Sequence, residues 1–305
     1  MSTVATNAVT ANATPRDWAM LGLLGLIWGA SFLGVELALT GFGPITTAAG
    51  RIGLAAIILV GLALRAGGLP RWSAPNGPRI WAHILGMALF TNAIPFALLS
   101  WAQESVTSSF AGITMAIVPL MVLPLAHLMV PGERMSLRKV AGFAIGFAGV
   151  VVLIGLPQGQ GAGLARLACV GASACYAIGS INTRLCPPVG LIAYSAAGLT
   201  VAAILIVPAA LLIEGVPALP PVQAVAGLLY LGLLPTALAT VILVSVTRSA
   251  GPSFLSLVNY QVPVWAVILG TVFLGESLPS AFLFALILII AGLVVSRSPA
   301  QRLRP

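Results

Sequence analysis

Residues 132–139 read Gly132-Glu133-Arg134-Met135-Ser136-Leu137-Arg138-Lys139, and 143 residues later the chain returns to a Gly-Glu pair at Gly275-Glu276, followed by Ser277, Leu278 and Pro279 without a cation. One turn is basic and its echo is not. Each stands between two long apolar runs, so each is a connection beside an apolar layer. Lys and Arg resist translocation and collect on the cytoplasmic side of a membrane. The two turns therefore take opposite compartments, as they would if one bundle were repeated upside down.

Composition agrees with a membrane setting. The chain has 305 residues, of which 59% are hydrophobic and 7% charged, where soluble proteins carry about 25% charge. A water-soluble surface cannot be built from that, which excludes a soluble enzyme and a disordered chain. Asp17 is the single aspartate, and Cys169, Cys175 and Cys186 have no metal-type spacing; they read as small apolar residues. No metal and no cofactor are expected. The net charge of +8 is scattered between apolar runs instead of gathered in a stripe, so no nucleic acid is expected as partner. The expected partner is the lipid bilayer.

Apolar runs fall at about 18–39, 45–65, 79–101, 107–130, 137–156, 164–185, 190–213, 222–246, 252–274 and 279–296. A spanning helix needs about 20 such residues, so the reading is an all-α membrane protein of ten transmembrane helices. With the N-terminus inside, twelve of the fourteen Lys and Arg residues fall on the cytoplasmic side, including Arg297, Arg302 and Arg304, while Glu104, Glu214 and Glu276 fall outside. Adding or removing one span would scramble that segregation. The expected layout is a cytoplasmic tail at 1–17, a first five-helix repeat at 18–156, a second, inverted repeat at 157–297 and a cytoplasmic tail at 298–305. The stretch Gly159-Gln160-Gly161-Ala162-Gly163 lacks the lysine and the strand–helix setting of a phosphate loop and reads as an outer connection.

Further echoes support the repeat. Ser109-Phe110 faces Ser253-Phe254 and Pro119 faces Pro263, each pair 144 residues apart, and Trp28-Gly29 meets Tyr176-Ala177 at 148. Five spans per half is an odd number, so the second copy must be inverted. Inverted repeats characterise secondary transporters, because two near-equivalent halves that exchange conformations open a shared cavity to alternate sides.

The run Leu26-Ile27-Trp28-Gly29-Ala30-Ser31-Phe32, Arg51 in the second span, the prolines of Ile117-Val118-Pro119 and Val262-Pro263, and the Gly-Glu turns together resemble the EamA-type transporters of the drug/metabolite transporter superfamily. The resemblance covers the chain after residue 17 and is nearest to bacterial exporters of aromatic amino acids. It implies two inverted five-helix repeats around a central cavity, in the bacterial inner membrane, exporting an aromatic amino acid or a related organic solute. Glu36 departs from the pattern, since many relatives have a basic or neutral residue there.

Such a cavity should lie near mid-membrane, lined by polar groups that would be costly against lipid. The cluster Asn259-Tyr260-Gln261, just before Pro263, is the densest of these. Thr91, Asn92, Thr114, Ser173, Ser180, Thr236 and Thr240 are further candidates, and Asn92 aligns with Thr236. Trp28, Phe32, Phe96, Tyr176, Tyr260 and Trp265 lie well inside their runs, and the outer-end Trp101 and Met115 of the fourth span complete the substrate-binding set. Aromatic faces would hold a ring-bearing solute by stacking and cation–π contact. For each residue alone, helix packing remains an equal alternative.

Matched prolines Pro119 and Pro263 are expected to kink their helices as a pair of hinges. Arg51 and Glu36 are expected to pair between the first two spans. Glu36 is also the strongest candidate for proton coupling, with uniport left open. The glycine stripes Gly25/Gly29 and Gly142/Gly146 permit close helix contact; the second is expected to join the two halves in a monomer, with dimerisation through that face left open. A carrier for a nucleotide sugar or sugar phosphate would need more cavity cations than Arg51. An intramembrane enzyme would need a base beside a nucleophile, which His83 and His127 do not supply from the cytoplasmic ends. A channel is the third alternative.

Overall fold

A capping box begins the first helix. Asp17 N–H donates to Thr14 Oγ1 at 3.3 Å, the Thr14 N–H donates to Asp17 Oδ2 at 2.9 Å, and Pro15 supplies the preset first-turn φ. From there the computed structural model, which describes residues 13–155 and 162–296, is helical at every apolar run. The elements are α1 (Pro15–Leu39), α2 (Pro44–Arg65), α3 (Gly77–Gln103), α4 (Ser108–Met129), α5 (Leu137–Gly155), α6 (Ala162–Leu185), α7 (Leu191–Ile213), α8 (Val222–Ala250), α9 (Val258–Leu274) and α10 (Ser280–Ser296). The first eight are long and apolar enough to cross a membrane. The last two, at 17 residues each, sit at the lower edge of the range of about 17–25. Arg297, Arg302, Arg304 and the Gly159-Gln160-Gly161 stretch lie outside the described residues, as does most of the first tail.

Neighbour relations repeat under exchange of the halves. Helix α2 packs on α7, α4 on α9 and α5 on α10, each pair being its own image. The packing of α1 on α8 is mirrored by that of α6 on α3, and α1 on α9 by α6 on α4. The result is an all-α membrane protein of two inverted five-helix halves around a shared centre.

Polar contacts between helix ends follow the same alternation. Asp17 at the start of α1 accepts from Ser249 at the end of α8. Arg138 Nε, at the start of α5, donates to the Val295 carbonyl at the end of α10 at 2.9 Å. The Asn182 Nδ2 near the end of α6 donates to the His83 carbonyl near the start of α3 at 2.8 Å. Every such pair joins ends that an unbroken up-and-down path places on one side.

Helices α5 and α10 seal the halves together through glycine. A Cβ on Gly292 would lie 2.4 Å from the Gly146 nitrogen and 2.5 Å from the Gly142 carbonyl oxygen, and one on Gly149 would lie 2.9 Å from the Ala285 carbonyl oxygen. The Gly142/Gly146 stripe is thus consumed within one chain. The Gly25/Gly29 stripe receives α9: Gln261 lies against Gly25 and Trp265 against Gly29.

The expected pair of proline kinks is not symmetric. Ahead of Pro119, α4 tightens into a 3₁₀ turn over Met115–Ile117, whereas α9 continues as α-helix through Pro263. The irregular backbone of that span falls earlier, between the short helix Pro252–Leu255 and Val258.

Candidate functional site

The site begins with two backbone defects in matching places. Helix α3 widens into π-helix over Ala88–Ala93 and α8 over Leu233–Leu238. Asn92 Nδ2 donates to the Met87 carbonyl at 3.1 Å, and Thr236 Oγ1 donates to the Leu231 carbonyl at 2.8 Å. Each polar side chain therefore reaches back five residues, to a carbonyl that the α-helical pattern has lost. In α8 the cause is Pro235, which has no N–H to give Leu231 four residues earlier. In α3 Pro95 lies just beyond the π segment, so its ring crowds the preceding turn. The prolines do not align between the halves, yet the distortions do.

The defect in α8 frees a second acceptor. Ala239 N–H reaches the carbonyls of Leu234 and Thr236 and passes over Pro235. The Trp28 indole Nε1–H takes the Pro235 carbonyl at 3.1 Å. A π segment thereby fixes the orientation of the central aromatic ring of α1.

Between these two defects lies a cavity of about 380 Å³, within the range of about 300–1,000 Å³ that small-molecule sites occupy. Trp28, Phe32, Asn92, Met115, Tyr176, Thr236 and Asn259 line it, as does Arg51. The Arg51 guanidinium lies 3.7 Å from the centroid of the Phe96 ring, and Phe96 meets Tyr176 edge to face with centroids 6.4 Å apart. The wall combines apolar side chains with hydroxyl and amide groups, among them Thr91, Asn92 and Thr236 of the π segments.

Other expected residues do not converge here. Tyr260 and Gln261 are absent from the lining: successive helical side chains point about 100° apart, so one face of α9 carries Asn259 to the cavity while Gln261 meets Gly25. Trp101 is 44% exposed on the outside of the bundle. Pro119 and Pro263 also lie off the wall. Thr114 and Ser173 act as packing contacts, the Ser173 hydroxyl donating to the Thr114 carbonyl at 2.9 Å.

The expected ion pair between Glu36 and Arg51 is corrected. Glu36 Oε1 accepts from Gln103 Nε2 at 3.0 Å, and the same nitrogen also donates to the Phe32 carbonyl at 2.9 Å. Arg51 Nε donates instead to Thr236 Oγ1 at 3.2 Å. Among the described residues the ion pairs are those of Glu133 with Arg184 and Lys139. Gln103, Ser195 and Tyr194 also line the cavity, although their sequence setting does not mark them as lining. Gln103 stands at the last residue of its helix, and Ser195 and Tyr194 near the start of theirs, where polar residues signal an interface as readily as a lining.

Known proteins agree with this architecture. The EamA-like transporter family matches the chain twice, over residues 17–155 and 161–298. An uncharacterized inner membrane transporter of Escherichia coli, YedA, is 28% identical over 89% of this chain and 87% of its own length. A probable terminal-alkyne amino-acid exporter of Streptantibioticus cattleyicolor is 30% identical over 91% of this chain and 92% of its own. A crystal structure at 20% identity, covering 95% of this chain and 99% of its own, superposes with a TM-score of 0.66 and shares the fold. Two successive family matches, ten helices in two inverted halves and a central cavity carry one conclusion: the chain belongs to the EamA-like transporter family.

Proposed function

We propose that this transporter exports aromatic amino acids and related organic solutes across the bacterial inner membrane by alternating access, with both termini cytoplasmic. The working units are a first repeat at 18–156 and an inverted second at 157–297, flanked by tails at 1–17 and 298–305. The observation that carries the cargo class is the lining: Trp28, Phe32, Phe96 and Tyr176 present rings to one cavity of about 380 Å³. Ring faces hold an aromatic solute without buried countercharge. The name of the Streptantibioticus cattleyicolor relative, a probable terminal-alkyne amino-acid exporter, supports an amino acid as cargo and leaves the aromatic part to the lining. Twelve of fourteen basic residues on one side support the orientation.

Counterflow of labelled aromatic amino acid in proteoliposomes tests the reading. Saturable exchange is expected, with Tyr176→Ala lowering it about 2- to 13-fold at unchanged protein content, since aromatic contacts contribute about 0.5–1.5 kcal/mol beyond their buried area. Exchange of aliphatic amino acids with equal avidity, or no loss in Tyr176→Ala, would refute the aromatic assignment.

A further inference from the structure

Resting on that reading, we propose that Arg51 is the anchor for a substrate carboxylate, so that the cavity selects solutes bearing a single carboxylate group. Arg51 is 6% exposed and borders the cavity. Its Nε–H goes to Thr236, which leaves the four Nη hydrogens without a protein partner among the described residues. The Phe96 ring covers one face of the guanidinium. A stacked guanidinium keeps its edge free, and the edge carries the N–H fork that fits a carboxylate with two parallel hydrogen bonds.

Among the described residues no other group neutralises the charge. The Glu36 carboxylate is engaged by Gln103, and among the described residues Arg51 is the one charged side chain on the lining. A buried, unpaired cation is costly in a membrane interior and marks a functional position. Thr236 holds Nε in place through a hydroxyl that is itself fixed to the Leu231 carbonyl, so the fork is oriented before any ligand arrives. One guanidinium matches one carboxylate. A phosphate or nucleotide would bring further charge that no described cavity residue meets.

The test uses the full-length protein in proteoliposomes and four competitors of counterflow: phenylalanine, phenylalaninamide, leucine and leucinamide. Each amide removes the anion and keeps the side chain. The wild type is expected to favour acid over amide at least tenfold, the range of a hydrogen-bonded charge pair. Arg51→Gln is expected to bring that ratio close to one while leaving phenylalaninamide inhibition within about threefold of the wild type. Arg51→Lys, which keeps the charge and loses the fork, is expected to fall between. A wild-type ratio near one overturns the proposal, and that measurement needs no variant to fold. So does an Arg51→Gln protein that loses acid and amide equally. The ring is scored separately: a high acid-to-amide ratio for leucine as well as phenylalanine, with equal potency of the two acids, supports the Arg51 anchor and refutes the aromatic assignment, whereas preference for both phenylalanine compounds without acid preference does the reverse.

Discussion

Thr236 makes two hydrogen bonds through one oxygen, donating to the Leu231 carbonyl at 2.8 Å and accepting from Arg51 Nε at 3.2 Å. The first repairs what Pro235 removes from the helix, and the second pins a buried cation. Valine has the same shape and neither capacity. Thr236→Val therefore leaves a carbonyl and a charged donor without partners, at a cost of about 1–3 kcal/mol. A lower melting temperature in detergent is expected, with Thr236→Ser close to the wild type. An unshifted melting temperature in Thr236→Val would mean that water or another group already serves both atoms. The alignment of Asn92 with Thr236 was legible in the sequence as two polar residues at one repeat position. Their shared task was not, because a carbonyl five residues back becomes available only where the helix has widened.

At the scale of elements, hydropathy and charge located ten runs whose bounds agree with the helices to within a few residues, apart from α9, which begins at Val258 instead of 252. Lipid demands that the backbone satisfy its own hydrogen bonds, and apolar runs of about 20 residues do so as helices. What hydropathy cannot supply is the direction of each side chain. Asn259, Tyr260 and Gln261 are adjacent in sequence and point three ways in α9. Glu36 and Arg51 occupy neighbouring helices, but that adjacency fixes no distance between them. Prolines predicted symmetric hinges at Pro119 and Pro263, whereas the matched distortions are the π segments of α3 and α8, whose prolines occupy different registers.

Glycine gives an element-level prediction with an internal control. The three atoms nearest a methyl at Gly292 would all be backbone of α5, at 2.4 to 2.7 Å, while one at Gly61 in α2 meets nothing within 4 Å. Backbone cannot rotate aside, so Gly292→Ala is expected to cost about 1–3 kcal/mol by forcing α5 and α10 apart. Gly61→Ala gains helix propensity, about 0.5–1 kcal/mol. Thermal unfolding of the two variants should shift in opposite directions. Equal shifts would show that the α5–α10 seam has slack.

For the whole molecule, the two halves use equivalent carboxylates differently. Glu276, beyond the end of α9, accepts from the Ser108 N–H at 2.7 Å and the Ser109 N–H at 3.0 Å, capping α4. Glu214, at the end of α7, accepts from the Ile45 and Thr46 N–H groups at 2.8 Å each, capping α2. Carboxylates suit helix N-termini because both the free N–H groups and the helix dipole favour negative charge. Each of these ties the second half to the first at the face assigned to the outside. Glu133, the repeat equivalent of Glu276, sits at the opposite face and instead pairs with Arg184 at 2.7 Å and Lys139 at 3.4 Å.

The hydrogen bond from Arg184 holds the Glu133 carboxyl below its usual value of 4.5. A depressed native value means that the pair contributes above that usual value and is lost only as pH falls through the lower one. Between about pH 5 and 8 the pairing is constant, so Glu133→Gln is expected to leave the shape of the transport–pH profile over that window unchanged. A profile that flattened in Glu133→Gln would place a titrating role on this group.

The carboxylate caps predict which face opens when they are removed. With the native cysteines replaced and Val35→Cys placed in the cavity wall, Glu276→Ala should raise labelling by a membrane-impermeant thiol reagent added outside severalfold. Glu133→Ala should not, because its partners lie at the other face. The physical basis is that the Glu276 cap accepts three charge-assisted bonds across the halves, from the Ser108 N–H, the Ser109 N–H and the Ser109 hydroxyl, about 1.5–3 kcal/mol for one such bond, enough to shift a two-state equilibrium by roughly tenfold or more. Equal labelling of the two variants would separate the caps from closure and leave the outer face held by packing alone.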